Sequence, residues 1–519
     1  MFAVPSSART TDYSLAVTSG VLLALSFPKF GQPAFAWIAL APLLLALTGW
    51  HGRPGRIPGQ PPLRAFLLGL TTGVVYFVGT IYWTGTVIKT FGEVPTVLAY
   101  GAMLLLALYL ALFPALAAII EARLLTRGGV GALWFAPAAW VAMEFCRGWA
   151  FGGFPWVPLG NSQVTVLPVA QFASLFGVYG LSLLVAFVNA AIVYALVTHG
   201  RARVTAVVTA AAVLVGIGAW GTWRIANGSL AREGSPIRVG LVQGNIEQKL
   251  KWDPREARRI FTTYIAMTRD VVKRGAQYVI WPESSTPFMF EEDPGGQAAL
   301  RALAREVQVP ILFGSDQMVH GANPTLYNAA FLLAPDGHTV AVYRKIHLVP
   351  FGEFIPLQQY VKFVSPLVDS LLDFSAGDSV VMLPVNGHLT STAICYEVVY
   401  PSLIDTAVHR GSELLSTITN DAWYGHSSAP FQHWEMASMR AIEQGRYLVR
   451  AANTGISGIV DPYGRVVERS AIFEQVGLVG EVRFLTSRTV YSLIGDAIAY
   501  AAIVLTAAAL VTVGRSRRV

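Results

Sequence analysis

Ala393-Ile394-Cys395-Tyr396-Glu397 closes the candidate strand Thr390 to Ile394 with a thiol. Two earlier strings have the same form. Trp281-Pro282-Glu283-Ser284 follows Gln277-Tyr278-Val279-Ile280, and Lys345-Ile346-His347 follows Val340-Ala341-Val342-Tyr343 and Arg344. Short runs rich in Val, Ile and Tyr between polar segments predict β-strands, so a carboxylate, an amine and a thiol are each expected at a strand end. Those groups suffice for covalent acyl chemistry. A thiol attacks a carbonyl as the thiolate, and an unperturbed Cys with a pKa of ~8.5 is mostly protonated at neutral pH. A neighbouring Glu takes the proton, and a Lys cation stabilises the sulfur anion and then the tetrahedral oxyanion. The pattern therefore assigns Cys395 as nucleophile, Glu283 as base and acid, and Lys345 as electrostatic clamp. A lone strand Cys is more often small core filler, so the weight falls on the three strings together.

The segment around these strings reads as an α/β layered domain. Strands are expected at Ile237 to Gln243, Tyr278 to Trp281, Pro310 to Gly314, Tyr327 to Leu333, Thr339 to Tyr343, Thr390 to Ile394, Leu414 to Thr419 and Leu448 to Ala452. Helices are expected at Pro254 to Arg274, Gln297 to Glu306, Val399 to Arg410 and Gln432 to Gln444. Strand alternating with helix favours a layered sheet architecture.

The rest of the chain is too apolar for water. Of 519 residues 54% are hydrophobic and 13% charged, with a mean hydropathy of +0.50, so part of the protein belongs in lipid. A hydrocarbon core needs ~20 apolar residues per helix. Runs of that kind, some short, lie near Tyr13 to Phe27, Pro33 to Leu47, Ala65 to Trp83, Val94 to Ile120, Val130 to Cys146, Val166 to Val197, Val204 to Trp223 and Tyr491 to Val513. This predicts a membrane α-helical bundle of about eight spans: seven within 1–223, then a soluble domain over 224–490, then one span and a basic tail over 491–519. Lys and Arg in short loops favour the cytoplasmic side. Arg9, Arg53, Arg56, Arg64, Arg123, Arg127, Arg201, Arg203, Arg515, Arg517 and Arg518 fall on one side, against Lys29, Lys89 and Arg147 on the other. Both termini are thus expected in the cytoplasm and the soluble domain outside it. No cleavable signal peptide is expected.

A net charge of +7 follows from that topology and not from a nucleic-acid stripe, because the Arg residues are dispersed. Cys146 and Cys395 are the only cysteines, which excludes a disulfide framework. No His, Cys and carboxylate cluster at ligand spacing suggests a metal or other cofactor, and His347, His426 and His433 read as hydrogen-bonding or surface residues.

The three strings resemble the nitrilase superfamily, whose members carry a Glu-Lys-Cys triad on an αββα sandwich. Within it the chain is similar to the membrane branch, the apolipoprotein N-acyltransferases. Val242-Gln243-Gly244-Asn245-Ile246 with Lys251-Trp252-Asp253, Pro350-Phe351-Gly352-Glu353-Phe354-Ile355-Pro356, and Asn420-Asp421-Ala422-Trp423-Tyr424-Gly425 carry the likeness. It implies an extracytoplasmic nitrilase-like αββα domain on the outer face of a bacterial inner membrane. It implies a two-step reaction: a phospholipid, phosphatidylethanolamine, gives its sn-1 acyl chain to Cys395, and the thioester then acylates the α-amine of a diacylglyceryl-cysteine apolipoprotein. It also marks Glu353 as a further essential Glu and gives Asn420, Trp423 and Tyr424 a place in the site, with Trp252 and Tyr396 as further supporting or substrate-binding positions.

Three further readings come from the residues. Glu353 and Glu397 suit support of Lys345, with Glu397 pointing to the face opposite Tyr396 if the strand continues. Leu348 to Ala376, with Phe354 and Phe363, is too apolar for a free loop and too broken for a span, and suits core packing or a lid that admits an acyl chain. The loop Arg147 to Trp156 suits an interfacial aromatic belt or part of a lipid entry path. Two other functions compete: a membrane-tethered amidase acting on a small carbon-nitrogen substrate, and a transporter with a regulatory domain. Eight spans exceed what a tether needs, and Glu144 and Asp496 are few ionisable groups for a transport pathway.

Overall fold

A computed structural model describes residues 6–50, 57–350, 352–354 and 374–515, and the backbone divides into two compact units, 1–226 with 494–519 and 227–493. The first unit is helical. Its helices are α1 (Ser6–Leu25), α2 (Ala36–Ala39), α3 (Ala41–Thr48), α4 (Pro62–Ile81), α5 (Trp83–Phe91), α6 (Thr96–Gly128), α7 (Ala136–Arg147), α8 (Leu167–Ala170), α9 (Ala173–Val197) and α10 (Gly200–Asn227). Among the described residues four helical stretches are long and apolar enough to cross a membrane: Pro62–Ile81, Thr96–Arg147, Ala173–Val197 and Gly200–Ala231. Pro33–Thr48 and Ala497–Val513 are apolar but shorter.

Close packing in this unit comes from small residues. Gly69 and Gly73 of α4 lie against Ala115 and Ala111 of α6, where an added Cβ would sit 2.7 Å from each alanine Cα, the small-residue approach that lets helices associate without a hydrophobic driving force. Buried polar groups are matched by backbone. Asn189 of α9 donates to the Ala36 carbonyl at 2.9 Å and accepts from the Leu40 and Ala41 amides at 2.8 and 2.9 Å, which satisfies the broken start of α2 and α3. The sequence pattern ends a span at Ile120, yet α6 continues to Gly128 and buries Glu121.

The second unit contains β1 (Ser235–Gln243), α11 (Pro254–Lys273), β2 (Tyr278–Ile280), α12 (Pro294–Val307), β3 (Ile311–Val319), β4 (Thr325–Leu333), β5 (Thr339–Arg344), β6 (Leu383–Val385), β7 (His388–Ile394), α13 (Pro401–His409), β8 (Leu414–Thr419), α14 (Ala429–Gln444), β9 (Leu448–Ala452), β10 (Gly458–Val460), β11 (Val466–Arg469), β12 (Val476–Phe484) and α15 (Tyr491–Ile494). The last helix, α16 (Ala497–Arg515), belongs to the first unit.

Two six-stranded sheets form, ordered β12-β1-β2-β3-β4-β5 and β11-β10-β9-β8-β7-β6. They face each other, β1 meeting β9 and β4 meeting β7. Ile260, Tyr264 and Val271 of α11 and Leu300, Leu303 and Ala304 of α12 close a core over Val279, Trp281, Ile311, Phe313 and Phe331 of the first sheet. Helix α14 packs on β9 with α13 beside it. Asp253 and Asp293 cap α11 and α12 by accepting from Arg255 and Gly296 amides at 2.9 and 2.7 Å, each followed by Pro at the first helical position, the arrangement that satisfies orphan N–H groups at a helix start.

Each sheet has a parallel centre. β1, β2 and β3 run parallel, as do β7, β8 and β9. Carboxyl ends of parallel strands are where open α/β sheets place ligands, and Glu283, Cys395 and Asn420 all follow such ends.

Candidate active site

The cysteine is presented by a turn and not by a continuing strand. β7 ends at Ile394, Cys395 takes φ +53°, and residues Cys395–Val399 form a 3-10 turn. A left-handed conformation at a non-glycine residue costs about 1–3 kcal/mol and persists only when its surroundings hold it. This corrects the expectation for Glu397, whose place opposite Tyr396 required an extended strand. Instead its Oε2 accepts from the Ile394 amide at 2.7 Å, and its Oε1 accepts from the Ile346 and His347 amides at 2.6 and 3.2 Å and from the Tyr343 hydroxyl at 2.9 Å. Fully buried, it ties the cysteine turn of one sheet to the lysine strand of the other.

Lys345, directly after β5, is buried and donates to Glu353 Oε1 at 2.8 Å and to Glu283 Oε1 at 3.4 Å. Burial alone would lower its pKa, but Glu353 and Glu283 outweigh it and hold the ammonium above its ordinary range. Glu283 follows β2 and Pro282. Its Oε1 also accepts from Asn328 Nδ2 at 2.7 Å, and its Oε2 accepts from the Asn420 amide at 2.8 Å. Burial raises its pKa, and Lys345, the Asn328 hydrogen bond, Lys251 and the Asn420 amide reverse that and leave it below the usual carboxylate value. Glu353 accepts from Asn328 Nδ2 at 2.9 Å and from the Val349 amide at 2.9 Å.

The Cys395 thiol is pushed up to about 12, first by burial and then by the Glu283 charge, with Lys345 acting in the opposite direction. Lysine next to cysteine predicts a stabilised thiolate; here burial wins. An ionised Glu283 beside a protonated thiol is the resting state a general base requires.

Of the other residues expected in the site, Asn420 is buried and fixed by Gln248 and Asn453 as well as Glu283. Tyr396 is buried edge-on to Tyr400. Tyr424 is half-buried and edge-on to the His433 ring, with centroids 6.2 Å apart, and desolvation and then the charges of Cys395, Asp421 and Glu283 hold its hydroxyl pKa well above the ordinary value. Trp252 and Trp423 are exposed, at 45% and 40%. Phe354 is half-buried, whereas Phe363 and most of the expected lid, 355–373, fall outside the described residues. His433, read as a surface or hydrogen-bonding group, is wholly buried. Among the described residues no three His, Cys, Asp or Glu side chains are grouped to hold a metal ion.

The N-terminal part, residues 19–191, matches the family model described as apolipoprotein N-acyltransferase N-terminal domain, and residues 238–483 match carbon-nitrogen hydrolase. An apolipoprotein N-acyltransferase of Geobacter metallireducens is 39% identical over 500 residues, covering 95% of this chain and 93% of the relative. The chain belongs to the apolipoprotein N-acyltransferase family. A Methylococcus capsulatus member is 36% identical over 488 residues, covering 93% of this chain and 92% of its own. An amidase from Nesterenkonia sp. resembles 49% of the chain at 20% identity with a TM-score of 0.38, over 93% of the amidase.

Two polar residues of this N-acyltransferase-family site are given no role in it by sequence reasoning. Asn328, on β4, bridges Glu283 and Glu353; it directly precedes the apolar run Ala329 to Leu333 of the same strand, and an Asn at that position is the available signal. Lys251 is buried, donates to the Glu283 carbonyl at 3.2 Å, and is lowered to about 8 by burial against the charges of Glu283, Asp316 and Cys395. Its neighbour Trp252 draws attention in the sequence because it is aromatic.

Proposed function

We propose that this protein N-acylates lipoproteins, with Cys395 as the residue that carries the acyl group. Family membership over nearly the full chain supports the activity, and the meeting of Glu283 and Glu353 at Lys345, with the Glu283 and Lys345 charges both acting on the Cys395 thiol, carries the assignment of the site. Glu283 takes the thiol proton as sulfur attacks the ester carbonyl of a phospholipid, phosphatidylethanolamine. The oxyanion forms beside the Lys345 ammonium. Its collapse breaks the ester C–O bond, Glu283 returns the proton to the leaving oxygen, and lysophospholipid departs from a Cys395 thioester. The α-amine of a diacylglyceryl-cysteine lipoprotein then attacks the thioester. Glu283 takes the amine proton, the C–S bond breaks, and the proton returns to sulfur, leaving an amide. Two bulky lipid substrates thus use one pocket in turn.

Glu353 and Glu397 support Lys345 and the cysteine turn. Asn420 holds Glu283 through its amide, and Tyr396, Tyr424, Trp252, Trp423, Phe354 and Phe363 are assigned to substrate contact or support. Residues 1–223 and 491–519 are assigned to an eight-span bundle with both termini in the cytoplasm, and 224–490 to the catalytic domain outside it. The 52-residue stretch Thr96–Arg147 supports two passes there, since at ~1.5 Å per residue it is more than twice a ~30 Å hydrocarbon core. In spheroplasts, an impermeant maleimide is expected to label Asp336→Cys directly and Arg123→Cys only after lysis; the reverse would invert the topology.

The deciding experiment is mass spectrometry of the membrane-purified protein, wild type beside Cys395→Ser and Glu283→Gln. A hydroxylamine-sensitive fatty-acyl adduct on Cys395, transferred to a diacylated lipopeptide and absent from Glu283→Gln, is the expected result. An unmodified Cys395 together with hydrolysis of small amides would overturn the reading in favour of a tethered amidase.

A further inference from the structure

Against the Cys395 backbone lies a group of charged side chains that the acyl-transfer steps do not use. Asp421, His433 and Arg450 are 1%, 0% and 0% exposed. His433 Nε2 lies 3.1 Å from the Cys395 carbonyl oxygen. A carbonyl only accepts, so Nε2 carries a proton, and because a guanidinium only donates, Nδ1 facing Arg450 is the lone-pair nitrogen of a neutral ring. That lone pair accepts from Arg450 Nη2 at 2.9 Å, and the same nitrogen donates to Asp421 Oδ2 at 2.9 Å. Asp421 Oδ1, 3.1 Å from Nδ1, accepts from the Thr419 hydroxyl at 2.9 Å. Arg450 is anchored on the Ile456 carbonyl at 3.2 Å. The fit around Asp421 is tight: a Cβ on Gly455 would fall 2.2 Å from its Oδ2.

Cys395 is therefore held at its carbonyl by His433, in a network that runs through Asp421 to Arg450 on β9. The left-handed backbone at Cys395 needs such support, because the conformation is costly and the residue has no glycine-like freedom. Burial and then Arg450 lower the His433 pKa, in accord with the neutral ring that this hydrogen-bond pattern requires. We infer that His433 is a positioning residue: by donating to the Cys395 carbonyl it fixes the turn that aims the thiol at the acyl donor. The inference rests on Cys395 being the acyl carrier.

The test compares two isosteric halves of the imidazole. His433→Gln keeps an amide N–H where Nε2 lies and can still reach the Cys395 carbonyl. His433→Asn keeps polar atoms near Asp421 and Arg450 but is too short to reach it. With phosphatidylethanolamine vesicles and the full-length protein, thioester formation on Cys395 is followed by mass spectrometry in single-turnover time courses. Displacement of a reacting atom by about 1 Å costs on the order of 100-fold in rate, so His433→Asn is expected to acylate about 10–100-fold more slowly at saturating lipid, with half-saturation unchanged. His433→Gln is expected to stay within about 5-fold of wild type. Equal rates in the two variants, normalised to folded protein, would overturn the inference, whether both are fast or both slow. Absence of any thioester on wild-type Cys395 would instead remove the reading on which it rests.

Discussion

The ammonium of Lys345 lies 2.8 Å from Oε1 of Glu353, and both groups are buried. Glu283, the residue assigned as base, is the more distant partner at 3.4 Å. The arrangement keeps lysine charged without committing it to Glu283, whose own oxygens are held by Asn328 and the Asn420 amide.

Replacing Glu353 by Gln keeps the shape and removes that charge. Breaking a buried ion pair from one side costs about 3–5 kcal/mol; Glu283 remains to compensate in part, so a loss of about 2–3 kcal/mol is expected. Lys345 is then drawn to Glu283, and acyl transfer should fall about 10–100-fold. Denaturant unfolding and lipopeptide acylation measure the two effects. Wild-type acylation in Glu353→Gln would show that Glu353 only packs.

The thiol gives a pH prediction with a definite sign. Its folded pKa of about 12 lies above the value of ~8.5 for an exposed thiol, so between those values the folded protein holds a proton that the unfolded chain has lost. In a Cys146→Ala background, iodoacetamide should therefore label native Cys395 slowly at pH 9 and denatured Cys395 fast. Because the Glu283 charge raises the thiol and Lys345 lowers it, the labelling midpoint should move down in Glu283→Gln and up in Lys345→Met. Shifts in the opposite directions would contradict the electrostatic assignment.

Glu397 offers a graded test of how the two sheets are joined. Burial raises the Glu397 carboxyl to about 7; above that pH Tyr343→Phe removes one of four donors to a carboxylate, and hydrogen bonds to charged groups are worth about 1.5–3 kcal/mol, so a modest loss of stability with activity retained is expected. Glu397→Ala leaves the Ile346, His347 and Ile394 amides without their acceptor and should cost more than twice as much while abolishing acylation. Thermal melts of the full-length protein in detergent give the ratio; equal losses would mean that the carboxylate does not couple the strands.

How much of this was legible in the sequence differs by element. Strands rich in apolar and β-branched residues, such as β1, β4, β7 and β8, lie within a few residues of where pattern alone puts them. β6, β10, β11 and β12 were not expected, for local reasons: β6 is three residues with a central Pro384, β10 is three residues long, every residue of β11 is exposed, and Gly477 and Gly480 interrupt β12. At the site, residue types and strand-end positions were readable for Glu283, Lys345 and Cys395. The left-handed turn at Cys395 was not, because a positive φ at a non-glycine is set by contacts distant in sequence: Glu397 with β5, and His433 from α14. For the same reason Asn328 is not picked out, and Lys251 is named only within the string that carries the family likeness, since their importance lies in which carboxylates they meet.

Asn328 supplies the last test. Its Nδ2 donates to Glu283 Oε1 at 2.7 Å and to Glu353 Oε1 at 2.9 Å, and hydrogen bonds to an ionised carboxylate lower its pKa. Glu283 stands below its ordinary value although burial pushes it up, with Lys345 and then Asn328 among the groups that offset the burial. A depressed carboxylate contributes stability that is present above its unfolded pKa and lost as pH falls through the folded one. Asn328→Ala removes the donor, so the Glu283 pKa should rise and that contribution shrink, with the loss on acidification beginning at higher pH. A base works only when ionised; the acid limb of the pH–rate profile should accordingly move to higher pH, while the rate at pH 8 stays closer to wild type than the rate at pH 6. A loss of equal size at every pH would assign Asn328 to packing and leave the ionisation of Glu283 to Lys345 and the Asn420 amide.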